Sequence, residues 1–164
     1  MKELTFIPAS PEHQDLLERW DEQAHVIESD PNDDWNWGME LTRTVAWREQ
    51  WVALAAQTPI GFIQIIDPQQ EESHYWGEIG NGYRAIDIWI GEADFLGKGY
   101  GTRMMQWAIQ RCFSDPTVHT LIIDPLTSNT RAIRFYERLG FAFVRHQRFG
   151  EDDCSVYQLS SPPG

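Results

Sequence analysis

Short apolar runs and amphipathic stretches alternate along the chain without any repeat. Leu4–Ala9 predicts a strand, and Pro11 opens a helix carrying Leu16, Leu17 and Trp20, since proline suits a first turn. Residues 29–38, Ser-Asp-Pro-Asn-Asp-Asp-Trp-Asn-Trp-Gly, are too polar and turn-rich for a regular element and read as a surface loop. Trp51–Gln57 and Ile60–Asp67 flank Thr58-Pro59 and predict a hairpin. Residues 68–83 form a second polar loop. Arg84–Gly91 is a strand with Ile86, Ile88 and Ile90 on one side and Ala85, Asp87 and Trp89 on the other. Thr102–Phe113 puts Met104, Met105, Ala108, Ile109 and Cys112 on one helical face, and Val118–Ile123 is a short β-branched strand. Asn129–Leu139 is a helix stopped by Gly140, and Phe141–His146 and Cys154–Leu159 close the chain as strands. The sum is a mixed α/β domain around one central sheet.

A length of 164 residues suits a single domain over 1–164, and 41% apolar against 23% charged residues argues for a packed core rather than disorder. No apolar run approaches the ~18 residues of a membrane span. The opening Met1-Lys2-Glu3-Leu4-Thr5-Phe6 is unlike a secretory signal. Cys112 and Cys154 make neither a disulfide framework nor a metal or redox spacing, so a reducing, cytoplasmic setting with no membrane partner is expected. His13, His25, His74, His119 and His146 show no ligand spacing, and no metal is expected.

Charge changes the picture. A net of −12 speaks against a nucleic-acid binder. Residues 1–97 hold 19 acids and 5 bases, net −14, whereas residues 98–148 hold 3 acids and 8 bases, net +5. Such a division suits a cationic molecule held beside an anionic one, although solvated surface charge would look the same.

The most specific local feature is Leu96-Gly97-Lys98-Gly99-Tyr100-Gly101-Thr102, between a strand and an amphipathic helix. Alternating glycines allow positive φ and close approach, so successive N–H groups converge on one anion, helped by the helix N-terminus, Lys98 and Arg103. The loop lacks the Gly-Lys-Ser/Thr ending of a P-loop and the second strand and ribose acid of a dinucleotide fingerprint. It therefore suits a pyrophosphate belonging to neither ATP nor NAD.

This loop, followed by Asn129-x-x-Ala132-x-x-x-Tyr136-x-x-x-Gly140-Phe141, resembles the GNAT superfamily of N-acetyltransferases. Leu96 stands where the family usually has Gln or Arg. With Pro59-Ile60-Gly61-Phe62, Arg84-Ala85-Ile86-Asp87, Asp124-Pro125 and Asn129–Glu137, the chain from about Trp51 is most similar to the aminoglycoside 6′-N-acetyltransferases. The resemblance implies a mostly antiparallel twisted sheet of about six or seven strands. Acetyl-CoA would lie in an opening between two parallel strands.

What the resemblance implies for the site follows residue by residue. Backbone groups of Ile88, Trp89 and Ile90 would hold the pantetheine arm, and the amides of Leu96 to Thr102 the pyrophosphate. Asn129, Ala132 and Tyr136 would face the cofactor. An ammonium must lose a proton before it can attack a thioester, and Asp87, an acid in an apolar strand, is the candidate base. Tyr136 is either the acid that protonates the leaving thiolate or a packing residue. Anions combined with ring faces suit a cationic amine, which points to Asp33, Asp34, Trp35 and Trp37 in the first loop and to Tyr75, Trp76 and Glu78 in the second. Asp124 matches a family acceptor-binding acid, and Asp152 adds to the rim. Trp20, Trp47 and Trp51 read as core. The leading expectation is transfer of acetyl to the 6′-amine of an aminoglycoside in a ternary complex, by a monomer or a homodimer. Another amine acceptor (a siderophore precursor, polyamine or protein amine) and a non-catalytic acyl-CoA-binding module are the alternatives.

Overall fold

The apolar alternation resolves into seven strands of one sheet in a computed structural model that describes residues 1–163. They are β1 (Leu4–Pro8), β2 (Arg48–Ala55), β3 (Thr58–Ile66), β4 (Tyr83–Ile90), β5 (Thr120–Ile123), β6 (Ala142–Phe149) and β7 (Asp152–Ser160). Their order is β1-β2-β3-β4-β5-β7-β6, and every neighbouring pair is antiparallel except β4 with β5. The β2–β3 turn lies at Ala56-Gln57, both at positive φ (46° and 74°), rather than at Thr58-Pro59. That two-residue geometry matches strand twist, and a bulge between Ala53 and Leu54 admits Pro59, which brings no N–H to the ladder.

Helices cover both faces. On one face α1 (Gln14–Asp21) brings Leu17 and Trp20, and α3 (Trp37–Glu40) with the residue after it brings Trp37 and Leu41, onto Val52 and Phe62, while α2 (Ala24–Ser29) follows α1. On the other, α4 (Tyr100–Phe113) packs Met104, Met105, Ala108 and Cys112 against Ile63, Ile65, Ile86 and Leu121, with α5 (Thr130–Arg138) beside it. Each large apolar side chain buried this way stabilises the fold by about 1.5–3 kcal/mol. The helix α3 begins inside the stretch 29–38 that the sequence presents as loop. Trp37 is the reason: its ring is 2% exposed and anchors the one turn of α3. Gly140, at φ 101°, stops α5 as its place in the sequence requires. Among the described residues no helix is long and apolar enough to cross a membrane.

Candidate active site

β4 and β5 run together for three residues only. Tyr83, Arg84 and Ala85 pair with Thr120, Leu121 and Ile122, and the strands then part, while β4 stays on β3 as far as Ile90. An antiparallel ladder sends the backbone groups of alternate residues to alternate edges. Because Gly91 N–H donates to the Ile60 carbonyl at 2.8 Å, Asp87 and Trp89 direct their backbone to β3 and Ile88 and Ile90 direct theirs into the gap. The reading of Trp89 as a backbone ligand is therefore corrected, because its peptide groups belong to the β3 ladder. The Ile90 carbonyl accepts a hydrogen bond from His25 Nε2 at 2.8 Å, so α2 reaches across one end of the gap.

Beyond β4 a single turn at Ala93–Phe95 leads into the glycine loop and α4. Gly97 and Gly99 lie in the left-handed region, at φ 69° and 86°, and a Cβ on Gly97 would meet nothing within 4 Å. Backbone amides at such residues are open to an anion, and the start of α4 adds its partial positive charge. The Tyr100 side chain is buried and its hydroxyl accepts from the Lys2 N–H at 3.0 Å, which leaves its main chain alone at the loop. Lys98, Arg131 and Arg134 are exposed cations. Asn129 caps α5, its side-chain oxygen accepting from the Ala132 N–H at 3.1 Å. That bond fixes the helix bearing Tyr136.

On the sheet face carrying the Asp87 side chain lies a cavity of about 930 Å³, walled by Asp33, Asp34 and Trp35 on one side and Tyr75 and Trp76 on another. Asp124, Asn129, Ala132, Tyr136 and Asp152 complete it from the C-terminal half. Burial pushes the Asp87 carboxyl up to about 6; a hydrogen bond from Gln64 opposes this and the charge of Asp33 adds to it. Asp124 is pushed up to about 7, by burial first and then by Asp87, against the Tyr75 hydroxyl, which donates to it. Asp30, missed by sequence reasoning, is raised by burial and by its hydrogen bond and charge contact with Asp33. Buried close together, these carboxyls favour the protonated form more than a free aspartate does, and a cation placed beside them would favour the charged form.

The aromatic residues divide unequally. Trp35 stacks on Trp37 with ring centroids 4.9 Å apart and is half-exposed. Trp37 lies outside the cavity, with its Nε1 donating to Asp21 at 2.6 Å. It is core, which corrects its reading as an acceptor contact. Trp76 is buried against Phe149 yet still lines the cavity. Trp47, read as core, also lines it, whereas Trp20 is buried. Glu78 is exposed and stands outside the lining, a third correction; Glu71 and Glu72 occupy the wall where it was expected. Across the mouth, Asn32 Nδ2 donates to Asp152 at 2.6 Å and ties the first acidic loop to β7.

A mixed sheet whose single parallel pair splays beside a glycine loop, with a carboxylate on the same strand, defines the class of N-acetyltransferases built on the GNAT fold. The chain belongs to that family: residues 10–149 match the acetyltransferase (GNAT) domain. It is 32% identical over 141 residues to the aminoglycoside N(6′)-acetyltransferase type 1 of Klebsiella pneumoniae, covering 77% of this chain and 67% of that protein. A kanamycin resistance protein of Rhizobium radiobacter is 42% identical over 72 residues, 43% of this chain and 67% of that one. Among solved structures, aminoglycoside acetyltransferase AAC(6′)-Ib in complex with coenzyme A superposes with a TM-score of 0.85 at 25% identity, over 96% of this chain and 95% of that one. The same enzyme with coenzyme A and kanamycin gives 0.85 at 26%, with the same coverage. The chain is thus an acyltransferase of the GNAT family, related to the aminoglycoside 6′-N-acetyltransferases.

Proposed function

We propose that this protein transfers acetyl from acetyl-CoA to the 6′-amine of an aminoglycoside. The observation that carries the reading is the position of Asp87. It stands in an acid-walled cavity, on the strand whose next residue, Ile88, turns its backbone into the gap between β4 and β5. The residues fit the coenzyme: Ile88 and the N–H of Ile90 face the gap, and the loop from Leu96 to Thr102 offers N–H groups at Gly97, where no side chain stands within 4 Å, and at Gly99, beside the end of the Met1 side chain. When bound, acetyl-CoA supplies an activated acyl carbon. Asp33, Asp34, Asp124 and Asp152 attract the polycation, and Trp35 offers a ring face to a sugar. Asp87 takes the proton from the reacting ammonium. Tyr136 holds its proton throughout the neutral range, because burial and the nearby Asp87 and Asp124 raise it further above the ordinary phenol value. It is a donor toward the leaving sulfur, never a base. The two free, buried cysteines suit a reducing compartment.

Thiol release with acetyl-CoA, measured over kanamycin-type sugars, linear polyamines and basic peptides, tests the reading. An aminoglycoside is expected to exceed any linear polyamine by at least about tenfold in kcat/KM, and NMR of the product should show one new acetamide at the 6′ position. Absence of thiol release with every aminoglycoside overturns it. Two variants check parts of the machinery. Tyr136→Phe should lower kcat by about tenfold or less, since a thiolate of pKa ~8.5 leaves with little help. Gly99→Ala forces a side chain into the left-handed region at a cost of roughly 1–2 kcal/mol. It should raise the KM for acetyl-CoA severalfold while leaving the acceptor KM near its original value.

A further inference from the structure

Three side chains on three adjacent strands stand in register on the sheet face beneath the cavity: Gln50 on β2, Gln64 on β3 and Asp87 on β4. Gln50 Nε2 donates to Gln64 Oε1 at 2.8 Å, and Gln64 Nε2 donates to Asp87 Oδ2 at 2.9 Å. Gln64 is 3% exposed and is the sole polar side chain between Ile60 and Ile66. A buried amide is costly unless its groups are paired, and an aliphatic residue would fill the strand at less cost. An amide can also turn end for end. Were it turned, its oxygen would face the Asp87 carboxylate and repel it. The donation from Gln50 to Oε1 opposes that turn and, with the donation to Asp87, favours the N–H end toward the carboxylate.

We propose that Gln64 is a positioning residue for acetyl transfer: locked by Gln50, it pins Asp87 Oδ2 and leaves Oδ1 as the lobe presented to the amine. The inference rests on the assignment of Asp87 as the base and adds what holds that base in one orientation and in its charged form. Gln64 also lines the cavity, but the role proposed needs no contact with coenzyme or acceptor. Its influence is carried by one hydrogen bond.

The test is a pH–rate series on Q64L, Q50L, D87N and the D87N/Q64L double variant, with kanamycin as acceptor and coenzyme A binding as the check on folding. In Q64L, kcat is expected to fall by about tenfold or more through loss of orientation. The acid limb of kcat/KM should move up by about one pH unit, because a donor to the carboxylate has been removed, with the KM for acetyl-CoA unchanged. Q50L should shift the limb in the same direction by less, and it carries the same readout if Q64L does not fold. In the D87N background, Q64L should add no further loss. A limb that stays in place in both Q64L and Q50L overturns the proposal, and so does a Q64L loss that multiplies the D87N loss. Near-wild-type turnover in D87N would instead remove Asp87 as base and, with it, the role of Gln64, an outcome distinct from the other two.

Discussion

Asp87→Asn is expected to lower kcat by about 10²–10⁴-fold, the range for loss of a general base, with the fold and coenzyme A binding retained. The substitution keeps the shape of the side chain and its partner, since the amide oxygen it introduces can still accept from Gln64 Nε2, 2.9 Å from the Asp87 carboxylate in the wild type. What disappears is the ability to hold a proton. The sign of the pH dependence follows from the environment. A free aspartate ionises near 3.9, and burial has moved Asp87 up to about 6. Only the ionised form accepts a proton from the amine, so Asp87 makes the wild-type kcat/KM fall as pH drops through about 6. Asp124, pushed up to about 7, contributes a second loss over a neighbouring range by weakening attraction of the cation. In the variant the residual rate should keep the decline near 7 and lose the one near 6. Profiles of kcat/KM from pH 5 to 9 for both proteins check this. A variant with wild-type turnover, or one whose limb near 6 persists, would remove Asp87 from the chemistry.

The parts of this site that were legible in the sequence are those whose signals are local. The glycine loop was one: alternate glycines before an amphipathic helix carry their conformational meaning without any partner, and Gly97 and Gly99 do take positive φ. The two-faced pattern of β4 was another, because side-chain alternation separates Asp87 from Ile86 and Ile88 whatever the neighbours are. Register was not legible. The pairing of Gln64 with Gln50 is set by the Ala56-Gln57 turn and the bulge at Ala53/Leu54, and its pairing with Asp87 by how β4 returns onto β3 after the long loop over 67–82. A lone Gln in an otherwise apolar strand was the available signal. The acidic loop was misread for a related reason. Trp35 and Trp37 are two residues apart in a polar stretch and look equivalent, yet one turn of helix sends Trp37 into the core onto Phe62 and leaves Trp35 half-exposed above it. The direction of Trp89's backbone likewise depends on which of two strand edges its N–H faces, a parity that only the ladder reveals.

Gly91→Ala is expected to destabilise the protein by about 3 kcal/mol, the upper end for overpacking a core. A Cβ at this position would lie 2.0–2.4 Å from Cδ2, Cγ and Cε2 of Trp20. The indole has nowhere to retreat: it is 1% exposed, packs with Leu17 and Phe62, and its Nε1 donates to Glu92 at 2.9 Å. Gly91 cannot retreat either, since its own N–H is bonded to the Ile60 carbonyl at the end of β3. The relief available is displacement of α1, which shares its buried cluster with Trp37 of α3 and so with the acidic loop above the cavity. Acceptor KM should therefore rise more than the KM for acetyl-CoA, whose loop lies past the turn at Ala93–Phe95. Urea unfolding of Gly91→Ala, Trp20→Ala and the double variant separates this clash from a general loss of packing. Trp20→Ala alone should cost about 3–5 kcal/mol, and in its background the added methyl enters vacated space. The double variant should then be more stable than the sum of the single losses by about 2 kcal/mol, within the range measured for residues in contact. Strict additivity would mean that the glycine is required for some reason other than the ring above it.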